Sequence, residues 1–170
     1  LPALEVFTQL ITERKDTGRI YVMNVDHAND HGSFDPAQAP IRMSNLCCEI
    51  DLPTKPLNSA EDPEGEISLC TLSAINWGLI NEPKEFKKYC TLAVRGLDSL
   101  LSYQDYPVRA AHDSTMARRP LGVGIINLAY FLAKRGLKYD EAALATIDEF
   151  TEAWSYYLIK ASVDLAKEKG

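Results

Sequence analysis

The sequence lacks several features that would assign it to common classes of protein. No uninterrupted apolar stretch reaches membrane-spanning length, and the longest, around residues 121–133, contains glycines and Asn127. Lys and Arg number 18 against 24 Asp and Glu, giving a net charge of −6, which argues against affinity for nucleic-acid backbones. We therefore expect a protein that binds neither membranes nor nucleic acid.

Signals of export and of structural zinc are also missing. The first residues carry no basic head followed by an apolar run, so we expect no signal peptide, a cytoplasmic location and four cysteines that remain thiols. Zinc is a weak alternative because Cys47 and Cys48 are an adjacent pair that no Cys-x2-Cys or paired-His spacing accompanies. The sequence has no initiating Met and begins inside an amphipathic pattern, which predicts a piece of a larger protein.

Hydrophobic periodicity predicts an α/β protein in which strands alternate with helices. Helices are expected over residues 4–14, 83–101 and 140–167, with another that follows a strand and ends at Gly136. Strand-like runs cover residues 20–25, 44–50, 67–76 and 121–126. Polar loops are expected over residues 26–40 and 103–118, and the runs at 44–50 and 67–76 are expected to pair as a long-armed hairpin.

The most informative stretch is Ser-Asn-Leu-Cys-Cys-Glu-Ile at residues 44–50. In an extended segment, residues two apart share a face, so Asn45, Cys47 and Glu49 would project together. An amide, a thiol and a base on one surface favour chemistry, and Cys70 in the next strand-like run favours redox chemistry. An edge strand with a polar face remains the structural alternative.

The other cysteines and the histidines have simpler interpretations. Cys90 lies on the apolar stripe of a predicted helix and Cys48 faces away from Cys47 in an extended segment, so both are expected to pack. His27 and His31 are spaced four apart in a polar loop, where a solvated or capping role is favoured over a metal site.

Two motifs near the last predicted strand also have structural interpretations. Gly122-Val123-Gly124 has Asn127 in place of the third glycine of a nucleotide-binding fingerprint, so close packing of strand against helix is favoured. Arg118-Arg119 is expected to be a pair of surface cations rather than a phosphate site.

Several motifs together resemble the catalytic core of the large (alpha) subunit of class I, Ia-like, ribonucleotide reductases. The strongest are Asn45-x-Cys47-x-Glu49, the segment Leu-Pro-Thr-Lys-Pro-Leu-Asn at 52–58, and Leu-Cys-Thr-Leu-Ser-Ala at 69–74. Matching segments also occur at residues 17–21, 24–27, 103–107 and 118–124. The resemblance implies that residues 1–170 are part of a ten-stranded α/β barrel with Cys47 on a central finger loop.

The resemblance also implies a role for each residue. Cys47 would carry the thiyl radical that abstracts the 3′ hydrogen, and Glu49 would take the proton of the 3′ hydroxyl. Asn45, Leu46 and Glu49 would contact the substrate. Cys70 would be one half of the redox-active disulfide, with its partner outside this chain.

The resemblance further implies partners that this chain does not contain. These are a metal-containing small (beta) subunit that supplies the radical, the remaining large-subunit polypeptide, a ribonucleoside diphosphate, and thioredoxin or glutaredoxin as reductant. The dNTP and ATP effectors would bind elsewhere in the full subunit, and this segment is expected to hold no cofactor. A non-catalytic assembly fragment of a split or truncated large subunit is the alternative function.

Overall fold

The computed structural model describes residues 1–69 and 71–170, so Cys70 lies outside the described residues. The chain folds as two compact units. The first comprises Leu1–Ser68 with Val108–Ala111, and the second comprises Leu69–Pro107 with His112–Gly170. Among the described residues, no helix combines the length and the apolar character needed to cross a bilayer.

The first unit contains helix α1 (Ala3–Thr17), where the sequence predicted one. The helix ends at Gly18, whose φ of 66° is left-handed and whose N–H donates to the Arg14 carbonyl. None of its residues is buried, and Leu4 and Phe7 remain 76% and 61% exposed. The apolar face of α1 is therefore open to solvent in this chain.

The predicted strand at residues 20–25 and the predicted loop after it are both wrong. Residues 19–24 form no regular element, and helix α2 (Val25–His31) occupies the start of the expected loop. The amide of Asn29, on α2, donates to the carbonyl of Ile41 and accepts from its N–H, at 2.7 and 2.9 Å. These tertiary hydrogen bonds fix a polar segment that has no helical periodicity of its own.

The second unit contains a two-stranded parallel sheet of β1 (Leu72–Asn76) and β2 (Gly122–Ile126), in which Leu72 lies opposite Gly122. Strand β2 confirms the strand predicted at 121–126, whereas β1 begins later than the predicted 67. Because β1 pairs with β2, the expected hairpin between residues 44–50 and 67–76 is wrong. An isolated antiparallel bridge, Lys55↔Glu66, lies between these two predicted runs and joins neither to the other.

Gly122 has the close-packing role that its motif predicted, although against a strand. A Cβ at this position would lie 2.4 Å from Cδ2 of Leu72, on the neighbouring strand β1 rather than on a helix. A larger residue would therefore require the side chain of Leu72, which is exposed, to move aside.

Helices α3 (Phe86–Tyr103), α4 (Arg109–Arg118), α5 (Leu128–Ala133) and α6 (Leu144–Lys169) complete the chain. Short 3₁₀ turns at Trp77–Leu79, Pro83–Glu85 and Glu141–Ala143 connect these elements. Helices α3, α5 and α6 confirm the predicted helices. Helix α4 occupies most of the loop predicted at 103–118. The sequence did not reveal this helix, because its small and polar residues form almost no apolar stripe.

An aromatic cluster forms the core of the second unit. The ring of Trp77 lies 5.2 Å from that of Phe86 and 5.4 Å from that of Phe131, and Phe131 lies 4.8 Å from Phe150. The guanidinium of Arg135 covers this cluster, 3.8 Å from the centre of the Phe131 ring. It donates to the carbonyls of three residues, Phe131, Ile80 and Asn81.

The apolar stripe of α3 is buried as the sequence predicted. Its residues are Phe86, Cys90, Val94, Leu97 and Leu101. Cys90 is fully buried, and this burial raises the pKa of its thiol to about 11. The prediction that Cys90 has a packing role is confirmed.

The expectation that Arg119 is a surface cation is wrong, because it pairs with a buried carboxylate. Its guanidinium donates to a carboxylate oxygen of Asp98 and, at 2.6 Å, to the Asp98 carbonyl. Lys169 donates to the second carboxylate oxygen. Asp98 is only 5% exposed, so the two cations offset its burial.

We predict that this ion cluster makes stability dependent on pH. The hydrogen bond from Arg119 is the main cause that holds the pKa of Asp98 below its ordinary value of 3.8. The stabilisation that the ionised Asp98 carboxylate gives to the folded state is therefore complete above pH 3.8. It is lost as the pH falls further toward the folded-state pKa. Asp98→Asn should lower the free energy of unfolding by about 2 kcal/mol at neutral pH and weaken its acid dependence, as measured by urea denaturation.

Asp164→Asn is the matched control. Asp164 pairs with Lys160 on the surface of α6, where both side chains are about half exposed. Its loss should change the free energy of unfolding by less than about 0.5 kcal/mol. Equal losses of unfolding free energy in the two variants would contradict a larger contribution from the buried Asp98 than from an exposed ion pair.

Candidate active site

The segment from Asn45 to Glu49 is a tight turn and not the extended strand that alternation predicted. The Cys48 N–H donates to the Asn45 carbonyl at 3.1 Å, and the Asn45 N–H donates to the Ile50 carbonyl at 3.3 Å. A single antiparallel bridge between Ser44 and Asp51 joins the two ends of the turn. Local hydrogen bonds to asparagine therefore replace the strand pairing that the alternating pattern would need.

The side chain of Asn45 organises this turn from inside. It is only 8% exposed, and its Oδ1 accepts the Ile50 N–H at 3.1 Å. Its Nδ2 donates to Oε1 of Glu49 at 2.7 Å. The structure thus brings together two of the three expected site residues, through the turn rather than through a shared strand face.

The tip of the turn presents Leu46, Cys47 and Cys48 to solvent. Leu46 is 84% exposed, and both cysteines are exposed. The prediction that Cys48 packs away from solvent is wrong. The physical reason is its φ of 61°, which belongs to a turn and breaks the strand-like alternation of faces.

A cavity of about 420 Å³ adjoins the turn on the side of Cys48. Its lining includes Ser44, Cys48 and Asp51 from the turn and both His27 and His31 from α2. Ser44 Oγ donates to Cys48 Sγ at 3.2 Å. Sequence reasoning missed this grouping because residues 26–40 were expected to be a loop, although the four-residue spacing of the histidines was a helical signal.

The two histidines share a face of α2, with ring centroids 6.1 Å apart. Within residues 1–69 and 71–170, no group of three or more His, Cys, Asp or Glu side chains is placed to hold a metal ion. His27 and His31 are both exposed, which agrees with the expected solvated role, and they also line the cavity wall.

The chemistry available at the turn follows from these contacts. Asn45 holds the carboxylate of Glu49, and the thiol of Cys47 is exposed on the same turn, so the turn offers a hydrogen-bond acceptor and an S–H group. The expected second thiol, Cys70, lies outside the described residues.

Comparison with known proteins identifies close relatives. The family described as "Ribonucleotide reductase, barrel domain" matches residues 1–170. The chain is 56% identical over 169 residues to the ribonucleoside-diphosphate reductase subunit alpha of Haemophilus influenzae, and equally identical over 169 residues to the ribonucleoside-diphosphate reductase 1 subunit alpha of Escherichia coli. It is 45% identical over 175 residues to the ribonucleoside-diphosphate reductase subunit alpha of Enterobacteria phage T4.

The coverage of these matches is uneven. The match to the Haemophilus influenzae protein includes 99% of this chain but 22% of that protein. The Escherichia coli match likewise includes 99% and 22%, and the phage T4 match includes 100% and 22%. The chain therefore spans about a fifth of the length of the curated relatives that it matches.

We predict that Asn45→Ala loosens the turn. The Ile50 N–H would lose its acceptor, at a cost of about 1–3 kcal/mol. Hydrogen exchange at the Ile50 amide should accelerate by about tenfold or more, since about 1.4 kcal/mol corresponds to a factor of ten. Asn58→Ala is the matched control, because Asn58 Nδ2 also donates to a carboxylate four residues later, that of Asp62. Unchanged exchange at Ile50 in Asn45→Ala would contradict the organising role of Asn45.

Proposed function

Because the chain belongs to the ribonucleotide reductase barrel-domain family, we propose that it is a catalytic segment of a ribonucleoside-diphosphate reductase large subunit. Such an enzyme reduces ribonucleotides to deoxyribonucleotides for DNA synthesis. One observation carries the proposal: the 2.7 Å hydrogen bond from Asn45 to Glu49 on a turn that exposes the Cys47 thiol.

Each residue of the turn has a proposed task. A thiyl radical on Cys47 abstracts the 3′ hydrogen of the ribose, forming an S–H bond and leaving a carbon radical. Glu49 accepts the proton of the 3′ hydroxyl, a role that suits a carboxylate with an exposed side chain. Asn45 hydrogen-bonds the ribose hydroxyls and orients Glu49, and the exposed Leu46 contacts the substrate.

Reduction at the 2′ carbon requires a proton donor and two electrons. We assign this task to Cys70 and a second cysteine outside this chain. One thiol proton goes to the departing 2′ hydroxyl, which leaves as water, and the hydrogen of the other thiol forms the new C–H bond at the 2′ carbon. The two sulfurs supply the two electrons and end as a disulfide. Cys47 then returns its hydrogen to the 3′ carbon and regains the radical, and Glu49 returns its proton to the 3′ oxygen. Thioredoxin or glutaredoxin would reduce the disulfide by thiol exchange.

The turn would lie at the tip of a finger loop inside a ten-stranded α/β barrel. The parallel pairing of β1 with β2, each followed by a helical segment, supports this arrangement. The remaining strands would come from other large-subunit polypeptide, which is consistent with a chain that spans about a fifth of its relatives. A metal-containing small subunit would supply the radical, and dNTP or ATP effectors would bind elsewhere in the large subunit.

A second candidate function is assembly without catalysis by the chain alone. The open apolar face of α1, with Leu4, Phe7 and Ile11 exposed, favours a segment whose packing is completed by other polypeptide. Assays of the chain alone, and after mixing with complementary large-subunit polypeptide and the small subunit, separate the two candidates. Product formed only in the mixture supports the catalytic proposal, and a mixture that works equally well without this chain contradicts it.

We predict that Cys47→Ser in the assembled enzyme abolishes deoxyribonucleotide formation and retains substrate binding. A serine O–H bond is too strong to replace the S–H bond in hydrogen exchange with ribose carbon, whereas the size of the side chain is nearly unchanged. Turnover and equilibrium binding of a ribonucleoside diphosphate measure the two effects. Cys48→Asn is the control on the same turn, because asparagine tolerates the left-handed backbone there, and it should retain turnover. Turnover near the parent level in Cys47→Ser would exclude the radical role.

We predict that Cys70→Ser blocks repeated turnover while leaving Cys47 able to accept a radical. Without Cys70 the proposed disulfide cannot form at all, so product should stay below a single turnover per site. Steady-state assays with a dithiol donor measure this, alongside a spectroscopic assay for radical transfer. Cys90→Ala, which alters a buried thiol in the core of the second unit, should keep repeated turnover. Unchanged steady-state reduction in Cys70→Ser would contradict the assignment.

A further inference from the structure

The turn exposes two adjacent thiols, Cys47 and Cys48, and the proposed function uses only the first of them. The other exposed features of the turn have assigned tasks, whereas Cys48 has none. Its side chain lines the cavity beside α2, so a small solute can reach it from solvent. The second thiol therefore needs its own explanation.

The surroundings of Cys48 are polar and open to solvent. The Ser44 hydroxyl lies within hydrogen-bond distance of Cys48 Sγ, at 3.2 Å, and of the Asn45 carbonyl oxygen, at 3.0 Å. His27 and His31 line the same cavity. Oxidants attack the thiolate form of a cysteine, and an exposed sulfur is accessible to them.

The backbone of the turn also determines how strained a disulfide between Cys47 and Cys48 would be. Adjacent Cα atoms across a trans peptide are about 3.8 Å apart, which is shorter than the usual span of a disulfide. A bond between Cys47 and Cys48 would therefore be strained and easily reduced, which is typical of reversible rather than structural disulfides.

We propose that Cys47 and Cys48 form a modification site at which hydrogen peroxide makes a vicinal disulfide. One thiol loses its proton and attacks the peroxide, breaking the O–O bond; this gives a sulfenic acid, and the departing hydroxide takes up that proton to become water. The neighbouring thiol displaces the sulfenic hydroxyl, which leaves as a second water, and the S–S bond forms. The two sulfurs lose two electrons in all, and the peroxide is reduced to two molecules of water.

The disulfide would withdraw the Cys47 thiol from any other reaction. Whether that withdrawal stops catalysis depends on the proposed function, but formation of the bond does not. The test accordingly reads the covalent state of the sulfurs and needs no enzyme activity.

The full chain is treated with hydrogen peroxide, its remaining thiols are alkylated under denaturing conditions, and the peptides are analysed by mass spectrometry. The peptide that carries both cysteines should lose the mass of two hydrogens and take up no alkyl group. Dithiothreitol should restore both alkylation sites. Cys90, buried in the second unit, should remain a thiol throughout.

Cys48→Asn is the matched variant, because asparagine keeps the left-handed backbone and lacks sulfur. In this variant Cys47 should stop at the sulfenic acid, trapped by dimedone, or proceed to the sulfinic acid. Oxidation of the unaltered chain to a sulfinic acid on either cysteine, with the other still a thiol, would overturn the proposal. So would a Cys47–Cys70 disulfide with Cys48 still open to alkylation.

Discussion

Backbone amides that leave a helix or strand must find other partners, and in this chain asparagine side chains repeatedly supply them. Asn29 pairs with both backbone groups of Ile41, and Asn45 accepts from Ile50. Asn76 accepts from the N–H of Gly78 as the chain leaves β1. The candidate site depends on this constraint, because the same amide that satisfies the turn also holds Glu49.

Elements with a strong apolar period could be predicted from the sequence. The stripe of α3 from Phe86 to Leu101 and the apolar residues of α6 repeat at helical spacing, and burial follows that repeat. The elements that were missed have no such repeat. Helix α2 is polar and held by Asn29, and α4 is built from small and polar residues, so tertiary contacts decide both.

The candidate site was predictable in its residue types but not in its shape. The order Asn45, Cys47, Glu49 suggested an amide, a thiol and a base acting together, and two of these are in contact. The contact arises from a turn with Cys48 at positive φ, which a pattern of alternating faces cannot reveal. The cavity shared by Cys48 and the histidines depends on α2, and it was missed because residues 26–40 were expected to be a loop.

Arg135 is a charged residue at the surface that another cation could not replace without loss of contacts. Its guanidinium lies over the Phe131 ring and donates to the carbonyls of Ile80 and Asn81. Lysine would preserve the charge, but an ammonium group lacks the planar face that stacks on the ring and the fixed arrangement of N–H donors that reaches the carbonyls. The shape of the cation, and not only its charge, therefore constrains position 135 during sequence divergence. An exchange of arginine for lysine, which is neutral on most protein surfaces, would here uncover the aromatic core.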